Sequence, residues 1–172
     1  GEIIRWVDGR APEDYFSEEI FEPLGMADSW LALTDERTAA YGDRIVNVAG
    51  QSSFAWPLPS SSGIGPVNEL VRVAEALRRG GELDGERILQ AASVATMTAR
   101  TRVGMKDETF GAIIDWALGP MVNSIHYTGK PAPYGYGDHA GADAFGHGGQ
   151  QSSVVFADPE YGLAVAFACD GR

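Results

Sequence analysis

Hydrophobic and polar positions are patterned most regularly near the C-terminal end of the chain. There Phe145-Gly146-His147-Gly148-Gly149-Gln150-Gln151-Ser152-Ser153 leads into Val154-Val155-Phe156-Ala157, and Leu163 to Cys169 is apolar throughout. Between these runs stand Asp158-Pro159-Glu160-Tyr161-Gly162, turn formers that reverse the chain, so the pattern predicts a β-hairpin. Strand side chains alternate between faces, which puts Leu163, Val165, Phe167 and Cys169 on one side and Ala164, Ala166 and Ala168 on the other. Neither face is polar. Such a strand is expected inside a layered fold, with a helix lying close against the alanine side. Cys169, the single cysteine, then reads as a small core residue. Gly146, Gly148 and Gly149 bracket His147 with residues that let another group approach the backbone closely.

Upstream the period lengthens to that of helices. Gly1 to Val7 is helix-compatible until Asp8-Gly9-Arg10-Ala11-Pro12 breaks it. Pro12 suits the first turn of a second helix, with Glu13 and Asp14 at the positive end of its dipole and Phe16, Ile20 and Phe21 on one face. Pro23-Leu24-Gly25-Met26 ends it. Residues 31–66 are irregular, yet Phe54, Trp56 and Ile64 are too apolar for a solvated linker, so a loop lying over the site is expected. Asn68 then offers an N-cap, Leu70, Val71, Val73, Ala74 and Leu77 form a stripe, and Gly80-Gly81 stop the helix. After a turn at Asp84-Gly85 another helix covers about Ala91 to Ala99, with Val94 and Met97 inward. Phe110 to Val122, which holds Trp116, reads as a strand, and residues 123–144 form a glycine- and tyrosine-rich loop carrying His126, Tyr134, Tyr136, Asp138 and His139.

Composition narrows the class. With 172 residues, 44% of them hydrophobic and 22% charged, one core of ordinary size is expected. The formal net charge of −11 argues against nucleic acid or an anionic membrane surface as a partner, since both would repel it. No apolar run reaches the roughly 18 residues of a membrane span. One cysteine excludes an internal disulfide framework.

Phe145-Gly146-His147-Gly148-Gly149, followed by Val154-Val155-Phe156-Ala157-Asp158-Pro159-Glu160 and Gly162-Leu163-Ala164-Val165, resembles the third motif and following hairpin of the penicillin-recognising serine hydrolases. The His-x-Gly form is similar to that of the esterases and peptidases related to class C β-lactamases. Ile20-Phe21-Glu22-Pro23-Leu24-Gly25-Met26-Ala27-Asp28-Ser29 resembles a segment these hydrolases carry shortly after their second motif, and the helices and Gly-Gly turn of residues 60–99 resemble theirs as well. The resemblance implies an α+β fold of the β-lactamase/transpeptidase type, with antiparallel strands and packed helices, and acyl-enzyme chemistry on an ester or amide without a cofactor.

That chemistry requires an activated nucleophile. Its first motif, Ser-x-x-Lys, is absent: the chain has two lysines, and three residues before Lys106 and Lys130 stand Val103 and Tyr127. Tyr-x-Asn, the second motif, is absent too, because none of the six tyrosines has an asparagine two residues on. No Gly-x-Ser-x-Gly elbow is present. The expectation is therefore that residues 1–172 are the C-terminal half of a single domain, with Gly1 to Val7 following soon after the second motif. The N-terminal half would carry the nucleophile and be this chain's partner.

By the resemblance, His147 takes the place of the lysine of Lys-Thr-Gly, Gly148 that of the threonine and Gly149 that of the glycine. His147 would face the cleft and assist proton transfer, and the Gln150 backbone N–H would be one of two oxyanion donors. Gly148 lacks the hydroxyl that helps hold a lactam carboxylate, which favours an esterase over a β-lactamase. Tyr134, Trp116 and Trp56 are candidates for an acyl pocket. Two other readings compete: a non-catalytic module of the same fold that binds a peptide or cell-wall ligand, and a metal enzyme using Asp138, His139, Asp143 and His147. The spacing of those four matches no compact ligand motif.

Overall fold

The computed structural model describes residues 1–41, 57–128, 135–149 and 153–169. Helix α1 (Glu2–Asp8) stops where Gly9 adopts φ 90° and donates its N–H to the Arg5 carbonyl. Pro12 opens α2 (Pro12–Phe16), where its missing N–H has no helical partner to lose, and the chain runs on through a π-helical turn, Ser17–Phe21. The expected stop follows. Leu24 and Met26 are buried with Ala76 and Leu83, and Ile20, Phe21, Val73 and Ile88 close around them.

Within the stretch expected to be irregular, the described residues include a helix, α3 (Asp35–Tyr41), and Thr34 Oγ1 accepts the Arg37 N–H at 3.2 Å in its first turn. Trp30 and Ile64 exchange two backbone hydrogen bonds of 2.8 Å, so the ends of the intervening segment are held together. Phe54 and Trp56 lie outside the described residues.

The central helix is α4 (Val67–Arg78). Its N-cap is Pro66, extended at φ −77° and ψ 151°, so Asn68 falls inside the first turn and does not cap it. Gly80 and Gly81 end it as predicted, at φ 72° and 92°, and the Gly81 N–H reaches back to the Ala76 carbonyl at 2.7 Å. Two α4 side chains tie down the Pro-Leu-Gly-Met turn. Buried Glu69 accepts the Asp28 N–H on both oxygens at 3.1 Å and the Ser29 hydroxyl at 2.7 Å, while Arg72 donates to the Leu24 carbonyl and to Asp84. A segment without chemistry of its own is thus fixed to the helix that supports the sheet.

Strands β1 (Glu82–Leu83) and β2 (Glu86–Arg87) pair around Asp84-Gly85, both at positive φ. Helix α5 (Ala91–Thr98) follows, with Val94 buried and Met97 half-buried. The single strand expected over 110–122 is instead divided among several short ones. β3 (Lys106–Asp107) pairs with β4 (Ala112–Ile113), and β5 (Asp115–Trp116) pairs with β6 (Met121–Val122). Gly111 at φ 68° and Gly119 at φ 114° provide the reversals that an unbroken strand would not contain.

A short helix, α6 (Ile125–Thr128), precedes the three long strands β7 (Phe145–Gly149), β8 (Ser153–Asp158) and β9 (Leu163–Ala168). All pairings are antiparallel, in the order β5-β6-β7-β8-β9. The hairpin has the predicted limits, with Gly162 at φ 66° in its turn. Ala164 faces α4, where Ala74 and Leu77 pack against Phe145, Val155 and Ala157, so small side chains do admit a close helix.

The other side of β9 departs from expectation. Leu163 and Phe167 are 51% and 54% exposed, and Cys169 is exposed rather than a core residue. Among the described residues β9 is the last strand in the order, and α4 covers only its alanine side.

Gly146 is required by the sheet itself. A Cβ there would stand 2.2 Å from the Val155 carbonyl oxygen and 2.6 Å from Phe156 Cα, both backbone atoms of the paired strand. The close approach this glycine permits is that of its neighbour in the sheet. Gly146→Ala is expected to destabilise the intact protein by about 1–3 kcal/mol, read as a lower denaturant midpoint at constant m-value. An unchanged midpoint would mean that β7 and β8 separate without cost.

Candidate active site

The site builds outward from β7. His147 lies in mid-strand, paired with Val155, and its side chain is exposed. Its Nδ1 stands 2.6 Å from the Gly148 carbonyl oxygen. A carbonyl only accepts, so this contact assigns the proton of the neutral ring to Nδ1 and leaves the lone pair on Nε2. Gly148 and Gly149 continue the strand opposite Val154 and Ser153. Gln150 and Tyr134 lie outside the described residues.

Trp116 is brought to His147, with ring centroids 5.7 Å apart and planes inclined by 52°. Two residues 31 positions apart in sequence therefore meet because β6 lies between β5 and β7. Trp116 is held firmly. Its backbone N–H donates to the Arg102 carbonyl at 3.0 Å, and its carbonyl accepts N–H groups from Thr101 at 2.8 Å and Arg102 at 3.0 Å. Phe110 stacks on its indole at 6.5 Å and 21°, and the indole N–H donates to Asp107 Oδ2 at 3.1 Å.

Asp107 is buried. The Phe110 N–H, opposed by desolvation and aided by the Thr109 N–H, Arg102 and Trp116, holds its carboxyl below the ordinary aspartate value. It therefore remains an ionised acceptor at neutral pH.

A second carboxylate supports the floor beneath. Asp115, 1% exposed, accepts from Arg100 Nε at 3.0 Å, the Gly104 N–H at 2.9 Å and the Tyr127 hydroxyl at 2.9 Å. Arg100 also reaches Asp143 and the carbonyls of Asn123 and Ala142, which joins the loop before β7 to the β5–β6 hairpin. Desolvation, then Asp115, push the Tyr127 phenol above its usual value, and burial does the same to Tyr136, which stacks on Phe156 and donates to the Met121 carbonyl. Neither phenol supplies a base near neutral pH.

Residues 1–172 match the Beta-lactamase family along their whole length. The chain belongs to the beta-lactamase family. It is 30% identical over 109 residues to the esterase/beta-lactamase LipL of Mycobacterium tuberculosis, a match covering 63% of this chain and 22% of that protein. Among solved structures it resembles a penicillin-binding protein homologue from Caulobacter crescentus, at 31% identity and a TM-score of 0.73 over 99% of this chain and 49% of that one. It also resembles a family VIII carboxylesterase, at 26% identity and a TM-score of 0.74 over 100% and 50% respectively. This beta-lactamase-family chain thus spans about half the length of the solved structures it matches. The expected α+β architecture of the β-lactamase/transpeptidase type is the one observed.

Other candidate residues of this beta-lactamase-family chain stand apart from His147. His126 and His139 are exposed, with His126 against the ring of Tyr127, and Asp143 is paired with Arg100. Among the described residues no three His, Cys, Asp or Glu side chains gather in a way that could hold a metal ion. A shallow groove of about 380 Å³ between α5 and Leu118 is lined by Ala92, Ser93, Thr96 and Met97 and does not include His147. Asp107 and Asp115 belong to no motif of the sequence. A signal was present for Asp107, since Asp107-Glu108-Thr109-Phe110-Gly111 reads as an Asx turn, and Oδ1 does accept the Thr109 N–H at 2.9 Å.

Proposed function

We propose that this chain is the C-terminal part of a serine hydrolase that acts on small ester or amide substrates through an acyl-enzyme, esters being preferred to lactams. His147 forms one wall of the cleft and moves a proton between the attacking hydroxyl, the substrate and the leaving group. Gly148 and Gly149 leave the backbone open beside the acyl group. Trp116 borders that group, with Tyr134 a second candidate for the pocket. The Gln150 N–H is one oxyanion donor, and two preorganised donors stabilise the charge that develops on the carbonyl oxygen. The nucleophile and the second motif come from the N-terminal half of the same domain.

The observation that carries this reading is the exposed imidazole of His147 on a central strand beside Trp116, in a chain of the beta-lactamase family. The absence of Ser-x-x-Lys and Tyr-x-Asn from the 172 residues supports the division into halves. Gly148 in place of a hydroxyl residue, together with relatives that include a carboxylesterase and an esterase/beta-lactamase, supports ester substrates.

The test is labelling by a serine-directed fluorophosphonate. The intact protein is expected to label and to hydrolyse p-nitrophenyl esters, whereas the 172-residue chain alone does neither. Labelling of the isolated chain would place a nucleophile within these residues and overturn the division. An intact protein that binds peptides or cell-wall fragments but neither labels nor hydrolyses would overturn the enzymatic reading.

A further inference from the structure

The surroundings of Trp116 are built as a clamp. Each oxygen of Asp107 has a defined set of partners. Oδ1 accepts the backbone N–H groups of Thr109 at 2.9 Å and Phe110 at 3.1 Å, which orients the carboxylate on the turn between β3 and β4. Oδ2 accepts the Trp116 indole N–H and Arg102 Nη1, both at 3.1 Å. Arg102 is itself held, since its Nη2 donates to the Lys106 carbonyl at 3.0 Å and its backbone bridges that of Trp116. Phe110 stacks on the indole, and the imidazole of His147 also packs against it.

We propose that Asp107 is a positioning residue for substrate: by fixing the tilt of the Trp116 indole, it sets the shape of the wall beside His147 against which the acyl or alcohol group of the ester lies. This rests on the reading of His147 and Trp116 as the two sides of an ester cleft. The physical argument is one of preorganisation. An indole can turn about two side-chain torsions, and an anchored N–H removes that freedom before substrate arrives. A carboxylate is a stronger anchor than a neutral acceptor, because a hydrogen bond to an ionised group is shorter and about twice as strong. Asp107 has no direct contact with His147 and acts only through Trp116.

The experiment uses the intact protein with p-nitrophenyl butyrate. Asp107→Asn keeps the size of the side chain and an oxygen for the turn, but its amide cannot satisfy both the turn and the indole. It is expected to raise KM about tenfold or more with kcat changed less than about threefold, since a displaced binding wall weakens positioning before chemistry. Trp116→Phe is expected to raise KM similarly, and adding Asp107→Asn to it should have no further effect. Should Asp107→Asn fail to fold, Asp107→Ser retains a turn-forming oxygen and loses the reach to the indole.

Additive losses in the double variant, or a fall in kcat at constant KM, would overturn the proposal. An intact protein without ester hydrolysis would refute the proposed function instead. The role of Asp107 is then read from the ring-proton NMR signals of His147, which Asp107→Asn and Trp116→Phe should both displace. Signals unmoved by Asp107→Asn would refute the clamp on its own.

Discussion

Replacing His147 by alanine in the intact protein is expected to lower kcat/KM for ester hydrolysis by about 10²- to 10⁴-fold, the range for a positioned general acid or base. Folding should be nearly unaffected, because the side chain is exposed and its hydrogen bond is to the neighbouring Gly148 carbonyl. These two results belong together. Loss of activity with an unchanged unfolding midpoint assigns the imidazole to the reaction, whereas equal losses of both would assign it to the strand. With Nδ1 committed to the Gly148 carbonyl, Nε2 is the nitrogen left free for the proton transfer proposed for His147. Activity within about twofold of the parent protein would remove His147 from the mechanism.

Much of the architecture was legible because it rests on local rules. The alternating pattern of 153–168 with Asp158 to Gly162 defined the hairpin, the glycines at 80 and 81 ended α4, and Pro12 opened α2. What failed was the part set by distant neighbours. Alternation placed Leu163, Phe167 and Cys169 on one face, as observed, but whether a face is buried depends on what lies over it, and within this chain α4 covers only the opposite side. The broken strand of 110–122 failed for another reason. Its apolar content fits one long strand, while the reversals depend on single residues, Gly111 and Gly119, whose positive φ leaves little trace in periodicity.

The candidate site divides in the same way. His147 was marked by its glycine neighbours, and Trp116 was drawn from a strand pattern, but their proximity is a product of sheet order and no local feature announces it. The anchoring carboxylates are harder still to see. Asp107 and Asp115 are two of many acidic residues in a chain of net charge −11, and what separates them is burial and long-range donors. In an acidic protein most carboxylates are solvated, so those buried with several donors are the informative ones.

Asp115→Ala should then produce the largest loss of stability among single changes near the site, about 3–5 kcal/mol, because it leaves three donors, Arg100 Nε, the Gly104 N–H and the Tyr127 hydroxyl, without their buried acceptor. The carboxylate is 1% exposed and joins three elements at once: Arg100 after α5, the Gly104 N–H before β3, and Tyr127 in α6. Its own N–H is also engaged, with Ser124 Oγ at 2.8 Å, so the backbone stays fixed while the side chain is removed and the donors are left facing an apolar methyl. Asp115→Asn keeps an oxygen and the volume and should cost less, which separates loss of the charge from loss of the acceptors. At about 1–2 °C per kcal/mol for an intact domain about twice the length of this chain, the alanine variant should melt about 3–10 °C lower. Activity gives the second readout: Asp115 precedes Trp116, so the surviving folded fraction should show a raised KM as the strand bearing the indole loosens. A melting temperature within about 2 °C of the parent protein would mean that Arg100 finds equivalent partners in Asp143 and the nearby carbonyls, and that the connection through Asp115 is dispensable.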